Sequence, residues 1–180
     1  MMNDWNIIVS LHERGWYQAF KVLQEFGSIS RSDFRNVLVM KVSHIDRFLE
    51  TLREEIANDP NRFDFLARLV PVTCAFTFQS PQDFESRAQE AILQWVPHLA
   101  GKSFHVRMHR RGFKGKLSSP DEERFLDKVL LEALERAGTP GHITFENPDA
   151  IVVVETLGQR CGLSYWTRED LQRYSFLKVD

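Results

Sequence analysis

The stretch S-F-H-V-R-M-H (103–109), R-R-G-F-K-G-K-L (110–117) and, after Ser118, S-P-D-E-E-R-F-L-D-K-V-L-L-E-A-L-E-R-A (119–137) changes structural period part-way along. Phe104, Val106 and Met108 alternate with His105, Arg107 and His109, the two-residue repeat of a half-buried strand. That repeat places three basic or titratable side chains in one row. Residues 110–117 hold two glycines and no acid, which predicts a flexible loop. Ser119, Pro120 and Glu122 then read as N-cap, first-turn proline and capping-box acid of a helix. Phe125, Leu126, Val129, Leu130, Ala133, Leu134 and Ala137 give it an apolar face, and Gly138 and Pro140 stop it. The run A-I-V-V-V (150–154) is a buried strand, turned by Gly158–Gly162 into a partner at Leu163–Trp166. Strand, helix and strand in this order predict a crossover with two parallel strands.

Upstream, Ser80 and Pro81 open another helix, with Phe84, Ala88, Ala91, Ile92 and Trp95 along one side and Pro97 at its end. Residues 5–80 repeat a different order. Trp5–Leu11 reads as a strand, and Trp16, Phe20, Leu23 and Phe26 follow at helical spacing up to Gly27, a left-handed stop. Ser28–Asp33 and Asn36–Val42 are strand runs. Ser43 with Asp46 signals a helix start, Ile45, Phe48, Leu49, Leu52 and Ile56 share its face, and Val70–Phe78 reads as one further strand. The order β-α-β-β-α-β predicts a ferredoxin-like sandwich over 1–79, ahead of a second domain over 80–180. The fold class expected is therefore mixed, α+β followed by α/β.

The composition suits packed domains: 180 residues, 43% hydrophobic and 12% aromatic, with a formal net charge of −2. Disorder and a uniformly basic nucleic-acid binder are both excluded as readings. Charge is nevertheless uneven, because thirty residues between Glu90 and Asp121 contain no acid and six bases: Lys102, Arg107, Arg110, Arg111, Lys114 and Lys116. No run approaches the ~18 apolar residues of a spanning helix, and the start lacks a signal-peptide pattern, so the expectation is a cytoplasmic protein away from membranes. Cys74 and Cys161 are too few for a disulfide framework or zinc site, and His105 with His109 lacks a third ligand. Metal and cofactor are expected to be none.

Four segments carry a family resemblance: F-H-V-R-M-H-R-R-G (104–112), the capped helix at 119–134, P-D-A-I-V-V-V-E-T-L-G (148–158) and G-L-S-Y-W-T-R-E-D-L (162–171). Their order resembles a THUMP domain, the RNA-binding module attached to tRNA thiouridine synthases, some tRNA methyltransferases, a pseudouridine synthase and the adaptor of tRNA cytidine acetylation. A preceding ferredoxin-like unit is the usual companion. The resemblance implies a mixed sheet with flanking helices, and binding of tRNA with its 3′ CCA end held across the two units. After Trp166 only fourteen residues remain, and the chain has no G-x-G-x-x-G after a strand and no Walker A motif. The expectation is therefore a non-enzyme, similar in architecture to the acetylation adaptor, that presents tRNA to a separate tRNA-modifying enzyme. No DNA partner is expected.

The candidate RNA-binding residues are Lys102, Arg107, His109, Arg110, Arg111, Lys114 and Lys116, with Arg168 and Arg173 extending the patch. Against each stands a plainer reading. Arg107 would pair with a carboxylate on helix 119–137 such as Asp127, and the acids Glu169 and Asp170 would offset a tail that docks on the sheet. Tyr165, Trp166 and Trp95 suit base stacking but also lie on apolar faces, where core packing is the better reading. The alternative to an RNA role is a protein-interaction or ligand-sensing module, which the acidic balance of residues 1–79 would suit.

Overall fold

Short β-branched runs and amphipathic stretches alternate along the chain and build two sheets. The computed structural model describes residues 2–180. The first part contains β1 (Ile7–Leu11), α1 (Trp16–Leu23), β2 (Ser28–Arg31), β3 (Val37–Lys41), α2 (Ile45–Asn58), a 3-10 turn (Pro60–Phe63) and β4 (Leu66–Pro71). Its four strands form a sheet in the order β2-β3-β1-β4, antiparallel at every pairing. Ile8 of β1 stands opposite Val39 on one side and Val70 on the other, so apolar residues meet across the middle of the sheet. Helix α1 buries Ala19, Val22 and Leu23, and α2 buries Phe48, Leu49 and Leu52.

Gly27 is not in the left-handed region; a Cβ there would lie 2.3 Å from the Lys41 carbonyl oxygen, so the residue is small because β3 passes so close. His44, not Ser43, occupies the N-cap of α2, and no side chain caps that end.

The second part contains β5 (Cys74–Thr77), α3 (Pro81–Ile92), a 3-10 segment (Leu93–Leu99), β6 (Ser103–His109), α4 (Ser119–Arg136), β7 (His142–Ile143), β8 (Ala150–Leu157), β9 (Arg160–Thr167) and α5 (Arg168–Arg173), followed by a 3-10 turn (Ser175–Leu177). Its sheet runs β5-β9-β8-β6-β7. Strand β6 is parallel to β8 and to β7, while β9 is antiparallel to both β8 and β5. This is the mixed sheet that a crossover through α4 requires.

Two compact units result: the chain up to Val72 together with Arg173–Val179, and Thr73–Gln172 together with Asp180. The run read from sequence as one strand over 70–78 is therefore two strands in two sheets. The Val72 amide donates to the Asn6 carbonyl at 2.9 Å, whereas the next amide, Thr73, donates to the Leu163 carbonyl at 2.9 Å. The C-terminal residues expected with the second domain belong to the first unit, where the turn Ser175–Leu177 packs on β4 with Phe176 and Leu177 buried.

In the second unit, Phe84, Ala88 and Ile92 of α3 and Leu126, Leu130 and Leu134 of α4 pack on Phe104, Val106, Val152 and Val154 of the sheet. Both helices start at serine caps. Ser80 accepts from the Asp83 amide at 3.1 Å while Asp83 accepts from the Gln79 amide at 2.9 Å, a reciprocal arrangement that holds the Asp83 carboxyl below its usual range. The cap of α4 is Ser118, one residue before the position expected, and it accepts from Asp121. Glu122 is consequently not a capping-box residue. It is turned inward and buried.

Candidate nucleic-acid interface

The row of side chains predicted on β6 forms only in part. Phe104, Val106 and Met108 enter the core as expected, but His105 is buried too, its Nε2 3.2 Å from Asp180 Oδ2 and its ring 5.2 Å from that of Phe145. Arg107 is half-buried and donates to Asp180 Oδ1 from Nε at 2.9 Å and from Nη2 at 2.7 Å. It also donates to Glu123 on α4 at 3.4 Å. The plainer reading of Arg107 thus has the right helix and a different acid. Asp127 instead accepts from the Val106 amide at 2.8 Å, and Glu123 accepts from the Met108 amide at 2.8 Å. Helix spacing explains the match. Residues four apart on α4 rise ~6 Å, close to the ~6.6 Å between alternate residues of β6, so two carboxylates cap two amides of a strand whose neighbour β7 stops after pairing with Phe104. Burial pushes the Asp127 carboxyl up to about 6, against the opposing effect of the Val106 bond.

Beyond His109 the chain forms a folded turn in place of the flexible loop expected. Phe113 packs on Phe78 with ring centroids 5.0 Å apart, Leu117 is buried, and the Lys116 and Leu117 amides both donate to the Phe113 carbonyl at 3.0 Å. Between those anchors Lys114, Gly115 and Lys116 project as an exposed tip, and Gly115 at φ +78° adopts a conformation that a side chain would strain. Arg110 turns back to donate to the Gly112 carbonyl. Arg111 is held more firmly. Its guanidinium meets the fully buried Glu155 at 2.7 Å, its amide donates to Thr156 Oγ1 at 3.0 Å, and its carbonyl accepts from the Gly158 amide at 2.8 Å.

The remaining candidates lie elsewhere. Lys102 precedes β6, so the length of that strand, roughly 20 Å, separates it from the tip. Arg168 sits at the same end as Lys102, donating to the Asn147 carbonyl at 2.6 Å and to Asp149 at 3.2 Å. Ser103 bonds to Asp149 hold that carboxyl below its usual range. Arg173 falls in the first unit, on Glu50 at 2.9 Å, and with Tyr174 at 2.6 Å it holds the Glu50 carboxyl down at about 2. The structure therefore gathers Arg107, His109, Arg110, Arg111, Lys114 and Lys116 along β6 and its following turn, and leaves Lys102, Arg168 and Arg173 apart. Of the aromatic candidates, Trp95 and Trp166 are buried, and Tyr165 stacks on Trp95 at 6.4 Å. Among the described residues no group of three acids, histidines or cysteines is placed to hold a metal ion, and no helix is long and apolar enough to cross a membrane.

No protein-family model matches the chain, and no curated protein matches it in sequence. Solved structures do. TrmN from Thermus thermophilus is 20% identical at a TM-score of 0.60, over 89% of this chain and 44% of that one. A 4-thiouridine synthetase solved as an RNA complex with bound ATP is 11% identical at 0.53, over 91% and 42%. A predicted N6-adenine-specific DNA methylase from Listeria monocytogenes str. 4b F2365 is 13% identical at 0.52, over 89% and 40%. These likenesses support a THUMP-like fold with two sheets, and the chain spans under half the length of each of the three. They also correct the expectation of a non-enzyme. The fold is one that methylase and synthetase chains carry, so the lack of a nucleotide or donor motif within these 180 residues does not make the protein non-catalytic.

Proposed function

We propose that this chain is a tRNA-binding part of a tRNA-modification protein, holding tRNA by its 3′ CCA end so that another nucleotide reaches a modification site. What carries the reading is the THUMP-like fold, found in a 4-thiouridine synthetase solved with RNA. The first unit is read as ferredoxin-like, in keeping with its β-α-β-β-α-β order and the strand order β2-β3-β1-β4. The exposed tip at Lys114 and Lys116 supplies two cations on a backbone that glycine lets approach a phosphate chain, at the carboxyl ends of parallel strands β6 and β8, where open α/β sheets place ligands. Arg107 and Arg111 contribute position more than free charge, since carboxylates already meet both.

The test is direct binding of labelled tRNA by the full chain, beside tRNA trimmed of its CCA end and the double variant Lys114→Glu/Lys116→Glu. Intact tRNA is expected to bind tighter than the trimmed control, and the charge reversal to weaken both with no change in melting temperature. Equal affinity of wild type and double variant at low salt would remove the tip from the binding surface, and equal affinity for the two RNAs would remove the role of the CCA end.

A further inference from the structure

Helix α1 carries more apolar surface than its core needs. Ala19, Val22 and Leu23 face inward and are buried, yet Trp16, Tyr17 and Phe20 lie off that face, with Trp16 and Phe20 half-buried and Tyr17 82% exposed. Trp16 and Phe20, one turn apart, meet edge to face at 5.1 Å. From the edge strand β2, Arg31 lays its guanidinium 4.2 Å from the Trp16 ring centroid. Trp16, Tyr17, Phe20 and Arg31 line a groove of about 300 Å³, and Trp16 and Arg31 also line its neighbour together with Arg14 and Arg35. Asp33 is the acid in that second lining, and Arg35 is paired with Glu13 at 2.8 Å. Arg14, exposed and at φ +66°, adds a cation to this rim.

An exposed Tyr17 beside two partly exposed rings that line one groove argues for a ligand with a flat apolar face, since a single exposed ring is ordinary but one set against a ring-lined groove is less so. Arginine stacked on an aromatic ring, beside further cations, adds the chemistry of a ligand that alternates planar rings with negative charge. We propose that the outer face of α1, with Arg31, is a stacking site for the bases of unpaired RNA, distinct from the Lys114–Lys116 tip. Bases stack on Tyr17 and on the Trp16–Arg31 pair, and Arg14 and Arg35 meet the adjoining phosphates. The inference rests on the RNA reading above and deepens it by naming single-stranded nucleotides as what the first unit engages.

Trp16 provides the reporter. The chain has four tryptophans, and Trp5, Trp95 and Trp166 are buried. Titrating the full chain with a short oligoadenylate is expected to quench tryptophan fluorescence saturably, and Trp16→Phe is expected to abolish the quenching while the oligonucleotide still binds. Tyr17→Ala is expected to weaken oligoadenylate binding about tenfold, with Tyr17→Phe restoring it and melting temperatures unchanged. Lys114→Glu/Lys116→Glu is expected to weaken tRNA and leave the quenching intact. Absence of quenching, or equal affinity of wild type and Tyr17→Ala, overturns the stacking site and assigns this face to a protein partner, while tRNA binding that still depends on the lysine tip keeps the broader function standing. If the chain binds no RNA in any of these assays, both fall.

Discussion

Arg111 and Lys114 stand three residues apart in the same basic run, yet their surroundings set them opposite tasks. The Arg111 guanidinium is the partner of a carboxylate with no exposure at all, Glu155, so removing it takes a charge-assisted bond from a buried group. Arg111→Ala is expected to cost about 1.5–3 kcal/mol in a denaturant titration, whereas Lys114→Ala and Lys116→Ala are expected to fall within ~0.5 kcal/mol of wild type. A similar contrast holds at Gly27, where alanine would drive a Cβ into the Lys41 carbonyl; a loss of roughly 1–3 kcal/mol is expected in the same assay. The alternation of β6 made Arg107 legible as a side chain off the core face, and the acid-free window made the lysines legible. It could not show that Glu123, Glu155, Asp149 and Asp180 fold back onto the arginines, because charge counted along the chain is not charge in space. The outer face of α1 was hidden for a related reason: helical spacing gathers Trp16 and Phe20 with Leu23 but does not say which side the sheet will cover.

Helices α3 and α4 meet through a feature that sequence reading assigned to capping. Glu122 faces inward, and burial together with the neighbouring Glu85 carboxylate pushes it up to about 7. A carboxyl whose folded pKa is raised binds its proton more tightly in the native state, so its stabilising contribution is complete below the unfolded value near 4.5 and is lost as pH rises through about 7. Asp127, pushed up to about 6, acts in the same direction from 3.8 upward. Glu50 acts in the opposite one: held at about 2 by Arg173 and Tyr174, it favours the fold above 4.5 and loses that effect as pH falls through 2. Unfolding free energy is thus expected to fall between pH 5 and pH 8, by on the order of 1–3 kcal/mol, and Glu122→Gln is expected to flatten most of that slope. A wild-type stability that rises steadily from pH 5 to pH 8 would contradict the inward placement of Glu122. Asp127 separates two of its roles, since Asp127→Asn keeps an oxygen for the Val106 amide and Asp127→Ala does not. The alanine variant is expected to be less stable by about 1–3 kcal/mol than the asparagine one.

At the scale of the whole molecule, element types and order were legible because period-two runs such as 103–109 and capped amphipathic stretches such as 119–136 carry their own signals. Partition between sheets was not, since nothing local distinguishes β4 from β5; the break at Val72 and Thr73 exists because successive amides find carbonyls of different units, Asn6 and Leu163. The same distinction between local and spatial charge governs how the molecule should respond to salt. A lysine whose charge is free to replace a counterion on RNA contributes roughly 0.7–0.9 to the slope of log affinity against log salt, and an arginine already met by carboxylates contributes less. Lys114 and Lys116 are exposed at the tip, while Arg107 meets both Asp180 and Glu123. Replacing both lysines with alanine is therefore expected to lower the tRNA salt slope by roughly 1.4–1.8, and Arg107→Ala to lower it by less than ~0.7. The contrast is sharpened by Asp180→Asn, which releases one acid from Arg107 and is expected to steepen the slope and raise tRNA affinity at low salt. Titrations of labelled tRNA at several salt concentrations with these three variants decide the matter. If Arg107→Ala lowers the slope as much as the double lysine change does, the ion pairs of β6 open on binding and the interface extends along the strand as well as its tip.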